Sequence, residues 1–328
     1  MIEQSNSPIP AALPDAAPPI TQSEKLRSIW TGPNGLRAGW RLLIFAIVLA
    51  IIGLAANAVA HAIFGPSRKN ISIGDKPWIM IVAESISFLL FLIPTVVMSR
   101  LEGRPLAVYG LGLRPGAFRR LAEGALWGFM ALSAVLLIMR ISGLFYFGPF
   151  AGFGKQTLIL GFLWGVGFLL VGFVEEYAFR GYAQYTLTSG LGFWLATLIT
   201  SSLFLVAHTG NKGETPVGLA SVFFAGVLLA VALWRTGSLW FAIGIHLGWD
   251  WAQSFFYGVP DSGLITKGHL FEGTAHGPAW LSGGPTGPEG SLFALLVQLA
   301  IIPAILWRFR TVNYPDPQSL PKQPGAVI

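Results

Sequence analysis

Val174-Glu175-Glu176-Tyr177-Ala178-Phe179-Arg180-Gly181 closes a run, Leu158 to Val174, that holds no charged residue. Two adjacent carboxylates and an arginine at that position belong within, or at the edge of, a membrane-spanning helix. An ionised carboxylate in hydrocarbon costs several kcal/mol, so such groups are rare, usually paired and usually functional. Glu176 and Arg180 are spaced i,i+4, share a helix face and can neutralise each other. Glu175 points about 100° away from Glu176 and has no local cation. A carboxylate beside a polar cavity without a cation is a natural general base.

Composition agrees with a membrane setting. Of 328 residues, 53% are apolar and 11% charged, against about 25% charged in a soluble domain. There is no cysteine, which removes disulfides, thiolate nucleophiles and thiolate zinc sites. The net charge of +6 is small for the length and reads as loop lysine and arginine. No basic patch interleaved with aromatics appears, so nucleic-acid binding is set aside.

Residues 1–27, rich in Pro, Ser, Ala and Gln, read as a disordered tail, and 313–328 as a C-terminal tail. Between them, 28–312 forms one all-α polytopic unit. Eight apolar runs are long enough to span: about 40–64, 78–98, 121–145, 157–183, 192–209, 216–235, 238–256 and 291–310. Pro94 is expected to kink the second. Lysine and arginine fall mostly on the N-terminal side of this topology, which puts both termini in the cytoplasm. Residues 100–120 read as a basic interfacial stretch for anionic lipid. The Gly/Pro-rich segment 257–290, with Trp280, is long enough to be functional or mobile. No segment is repeated, so a duplicated transporter is not suggested.

Three further polar groups lie in apolar runs. His208 ends the fifth, four residues after Phe204. His246 and Asp250 share a face of the seventh, where the carboxylate can orient the imidazole. Levels can be compared at 1.5 Å per residue. From a turn near Ser189, Glu175 lies ~20 Å up and His208 ~28 Å. From a turn near Thr236, His246 lies ~15 Å up and Asp250 ~20 Å. His208 is about two turns too far, which demands a tilted helix or a later turn. Glu84 and Glu123 read as polar contacts or interface groups, and His61, His269 and His276 as solvated.

Glu-Glu-x-x-Phe-Arg-Gly at 175–181, Phe-x-x-x-His at 204–208 and His-x-x-x-Asp at 246–250 together resemble the motifs of the CPBP family of intramembrane proteases. That family includes CAAX prenyl endopeptidases of the Rce1 type and bacterial proteins linked to abortive infection or bacteriocin immunity. The resemblance is firmest over 157–256. It implies an eight-helix protease domain around an intramembrane cavity, with Glu175, His208, His246 and Asp250 as its site. Asp250 departs from the prenyl endopeptidases, which carry Asn there, and an ionised Asp cannot donate to an oxyanion.

The expected reaction is peptide hydrolysis in the membrane. Glu175 takes the proton from water. His208, with His246, donates to the oxyanion or orients the water. Glu176, Arg180 and Phe204 support them. No cofactor is fixed by the sequence; zinc is the candidate, with His208, His246 and Asp250 as ligands, although no His-Glu-x-x-His motif occurs. The expected partners are the lipid bilayer and a membrane peptide or protein substrate, and the expected site is a bacterial cytoplasmic (inner) membrane. The competing readings are a proton-coupled carrier and a catalytically silent scaffold or immunity protein.

Overall fold

The computed structural model describes residues 21–32, 35–65 and 72–317. Most of the two expected tails, 1–20 and 318–328, lies outside the described residues. The chain divides into two compact units, Met1–Arg37 and Ala38–Ile328. In the first, helix α1 (Gln22–Trp30) runs across the tail boundary expected at 27 and leads into a two-residue hairpin, β1 (Thr31–Gly32) on β2 (Gly35–Leu36).

The second unit is helical. Its long helices are α2 (Ala38–Phe64), α3 (Pro77–Glu102), α4 (Ala117–Ile141), α5 (Lys155–Arg180) and α8 (Pro216–Thr236). Shorter ones are α6 (Tyr182–Leu191), α7 (Phe193–His208), α9 (Leu239–Trp251), α10 (Ala279–Ser282) and α11 (Leu292–Arg308). Each expected apolar run is helical, and the chain is an all-α polytopic membrane protein. Among the described residues, however, five helices rather than eight are long and apolar enough to cross a membrane, with α5 and α6 counted as one. The runs at 192–209, 238–256 and 291–310 fall short. α7 has 16 residues, so it rises ~24 Å at 1.5 Å per residue, less than the ~30 Å hydrocarbon core.

Glycines set the breaks. At Gly181 a Cβ would lie 2.4 Å from the Tyr177 carbonyl oxygen, so only glycine lets the chain leave α5 and begin α6 there. At Gly192, φ is +81°, a backbone that glycine adopts freely, and the chain reverses into α7. α8 begins on Thr215, whose hydroxyl accepts from the Gly218 amide at 3.0 Å, with Pro216 at the first helical position. It ends on left-handed Gly237, giving the short turn expected before Ser238. α3 continues through Pro94.

α9 is the central strut, packed against α4 on one side and α5 on the other. Its contact with α4 is backbone on backbone. A Cβ at Gly128 would lie 1.9 Å from the Ile245 oxygen, and one at Gly248 would lie 1.9 Å from the Ala125 oxygen. Gly124 and Gly244 meet the same way. This pairing of small residues four apart is how helices approach closely in lipid. His246 sits two residues after Gly244, about 200° round the helix, and therefore faces α5. The exposed faces of α2 and α3 carry Leu43, Ile47, Ile51, Leu54, Val82, Ile86 and Leu89, as lipid contact requires.

A charged cluster is buried at the end of the bundle where α3 stops. Glu102 pairs with Arg41 at 2.7 Å, lies 3.5 Å from Arg104, and accepts from the Tyr182 hydroxyl at 2.5 Å. Arg41 also donates to Ser189, and Arg104 to the Tyr185 hydroxyl at 2.7 Å. The expectation of a basic lipid-facing stretch at 100–120 is corrected at Arg104, which is buried because Glu102 and Tyr185 hold it inside; Arg100, Arg114 and Arg119 remain exposed.

The glycine contact yields a test. Gly248→Ala is expected to destabilise the protein by about 1–3 kcal/mol through overpacking. Gly53 in α2 has nothing within 4 Å of its would-be Cβ, and Gly53→Ala is expected to be neutral or stabilising by up to ~1 kcal/mol. Thermal unfolding of both variants in one detergent checks this; equal shifts in Tm contradict it.

Candidate active site

α5, α7 and α9 bring four of the expected residues together. Oε2 of Glu175 lies 3.9 Å from Nε2 of His208 and 3.6 Å from Nε2 of His246. Oδ2 of Asp250 lies 3.4 Å from the same His246 nitrogen. The level mismatch of His208 disappears because the chain reverses at Gly192 rather than near Ser189. Glu175 and His208 are then 17 and 16 residues from the turn, which puts both at about 25 Å.

The opposite ring nitrogens are tied to fixed acceptors. Nδ1 of His208 is 2.8 Å from the Phe204 carbonyl oxygen. A carbonyl only accepts, so Nδ1 carries the proton and Nε2 faces Glu175. Nδ1 of His246 is 3.0 Å from Oε1 of Glu176, which again turns Nε2 toward Glu175. The spacing of His246 and Asp250 suggests that Asp250 orients this ring. Glu176 holds the Nδ1 side instead, and Asp250 flanks the Nε2 side.

Glu176 also pairs with Arg180 at 3.1 Å, and both side chains are fully enclosed. The Arg180 guanidinium carbon stands 4.4 Å from the centre of the Phe204 ring, whose centre is 4.4 Å from that of His208. Phe204 is thus clamped between a cation and an imidazole, a contact with both packing and cation–π character. Gly226 makes room for this: a Cβ there would lie 2.9 Å from an Arg180 nitrogen and from Ser201.

The cluster lines a cavity of about 220 Å³. Its walls are mostly apolar, from Phe168, Leu229, Ile245 and Trp249 among others, and its polar lining includes Glu84, Gln298 and Ser221 beside the four expected residues. Asp261, Ser262 and Glu289 also reach it, so the 257–290 segment folds back over the site. Glu84 faces the cavity, where the sequence suggests a polar contact. Glu123 makes the expected interface contact, 2.9 Å from Arg308. His61 and His276 are exposed. His269 is half-buried, with Nδ1 2.9 Å from the Thr266 carbonyl, which corrects its expected solvation.

Among the described residues no group of three or more His, Asp or Glu side chains is arranged to hold a metal ion. His208, His246 and Asp250, the expected ligands, are not such a group.

A polytopic helical membrane protein whose acids and imidazoles meet in an internal cavity has the build of a membrane-embedded hydrolase. Residues 156–252 match the family model described as Rce1-like, type II CAAX prenyl endopeptidase Rce1-like, and by that match the protein is a peptidase. The matched segment runs from the start of α5 to the end of α9 and contains all seven residues singled out by the sequence. No curated protein and no solved structure matches the chain.

The loop acids make a pH test. Asp261 and Glu289 share a hydrogen bond, which requires a proton between them. Burial first, and then neighbouring acids, pushes both carboxyls well above the ordinary range. A carboxyl raised in the folded state contributes stability that is complete below its unfolded value of about 4. That stability is lost as pH rises through the folded value. The contribution of this pair to Tm should therefore be largest at about pH 4 and decline as pH rises above it. Asp261→Asn, which keeps an acceptor for the Ser254 hydroxyl, is expected to flatten that decline. An unchanged slope of Tm against pH contradicts the shared-proton account.

Proposed function

We propose that the protein is an intramembrane endopeptidase in which Glu175 activates the water that cuts the peptide bond. The observation that carries this is the convergence of Glu175 Oε2 with Nε2 of His208 and of His246, on three helices and in one cavity. These separations exceed hydrogen-bond length, and a water seated beside the three atoms can reach all of them.

In this reading Glu175 accepts one hydrogen of the water. His208, whose Nδ1–H is committed to the Phe204 carbonyl, accepts the other at Nε2 and aims the oxygen at the scissile carbon. As water adds, its proton passes to Glu175 and negative charge forms on the carbonyl oxygen. His246 in its protonated form donates from Nε2 to that oxygen, while its Nδ1–H stays on Glu176. When the carbon–nitrogen bond breaks, the proton on Glu175 moves to the leaving amine. Asp250 and Glu176 hold His246 in place, and Arg180 with Phe204 holds His208. The apolar walls strengthen each of these contacts by excluding bulk water. The charge bias of the loops supports cytoplasmic termini and a bacterial cytoplasmic membrane.

Glu175→Gln and His208→Ala are each expected to lower peptide cleavage by about 100- to 10,000-fold while the protein still inserts and unfolds with near-normal Tm. Comparing the membrane peptides of cells with the active protein and with Glu175→Gln supplies substrates and the readout together. A carrier instead gives pH-dependent flux in vesicles with no cleaved product, and a scaffold keeps its phenotype in both variants. Cleavage that persists in Glu175→Gln overturns the proposed role.

A further inference from the structure

Glu84 is a carboxyl that the reaction above does not use. It sits in the first third of α3, a helix apolar enough to cross a membrane, and it is half-buried. No hydrogen bond or ion pair joins it to another described residue, and it shares the cavity with Glu175, close enough to interact with that carboxylate electrostatically. Such a group in an apolar helix is costly to keep and calls for a partner.

The surroundings say what the partner is. Met80, one turn before Glu84 on α3, and Phe168 and Val171 on the facing side of α5 form an apolar wall leading to Glu175. Among the described residues that line the cavity, every formally charged one is an acid: Glu84, Glu175, Asp250, Asp261 and Glu289. No lysine or arginine lines it, and the imidazolium of His246 is already matched by Glu176 and Asp250, so a substrate's free terminal carboxylate would meet acids without a free cation. A side chain with an apolar stem and a positive tip satisfies both the wall and the carboxyl.

Resting on the reading that peptides are cut in this cavity, we infer that Glu84 is a specificity-determining residue that accepts a lysine or arginine side chain of the substrate on the α3 side of the cavity. Met80, Phe168 and Val171 cover the stem, and Glu84 pairs with the tip.

The test uses the full-length protein in detergent and in lipid vesicles. Its probes are hydrophobic peptides that differ only in carrying lysine, norleucine or glutamate, with that residue walked through every position. The wild type is expected to favour lysine over norleucine at one position. Glu84→Gln, close in shape, is expected to cut that preference by about 10- to 100-fold, the worth of a hydrogen bond to a charged group. Glu84→Lys is expected to shift preference toward glutamate. A position scan with no lysine preference, or the same preference in Glu84→Gln, overturns the inference.

Peptide binding to the Glu175→Gln protein keeps the two proposals apart. If Glu175→Gln still cleaves, the role of Glu175 fails while the lysine preference stands or falls separately. If the lysine and norleucine peptides bind with equal Kd to Glu175→Gln, the Glu84 inference fails, whatever the turnover of the wild type.

Discussion

A fully buried carboxylate has to be matched on the spot, and at Glu176 the matching is done by two helices at once. Arg180 supplies a cation from the next turn of α5, and His246 supplies an Nδ1–H from α9. Removing one partner from such a group typically costs about 3–5 kcal/mol, because the other is left charged without water. The contact therefore fixes the rotation of α5 against α9. Once that rotation is set, Glu175, about 100° further round the helix, can only face the cavity. The position of the catalytic candidate is thus a by-product of satisfying its neighbour.

The glycine seam on the far side of α9 completes this arrangement. Gly244 and Gly248 let the α9 backbone rest directly on that of α4, so His246 is pressed toward α5 from behind. Just past the end of α5, Glu102 plays a comparable part. It gathers Arg41, Arg104 and Tyr182 and so anchors α6 immediately after the break at Gly181. The helix bearing the two glutamates is held by buried charge both within its last turn and just beyond it.

Much of this was legible in the chain. Acids and histidines stand out against apolar runs because lipid does not tolerate them, and i,i+4 spacing gave the Glu176–Arg180 and His246–Asp250 faces directly. The glycine ending the first motif has a plain local cause in the Tyr177 carbonyl. Contacts made at long range were hidden. That Asp261 and Glu289 return to the cavity depends on the path of a 34-residue segment, which no periodicity encodes. Arg41 and Arg104 look like loop charges until Glu102 is seen between them. The level of His208 is about two turns off when the reversal is placed near Ser189, whereas α6 carries on to Leu191. The small-residue spacing at 124/128 and 244/248 was present in the sequence, but its partners were not.

Hydrolysis of an amide leaves an acid where none existed before. On the proposed reaction the new carboxylate would be born beside Glu175 and Asp250, with no lysine or arginine among the described lining residues. At close range like charges repel strongly in a medium that screens poorly. The acidic lining that would draw a cationic chain inward would also hasten departure of the acyl fragment and oppose its re-entry, making turnover directional.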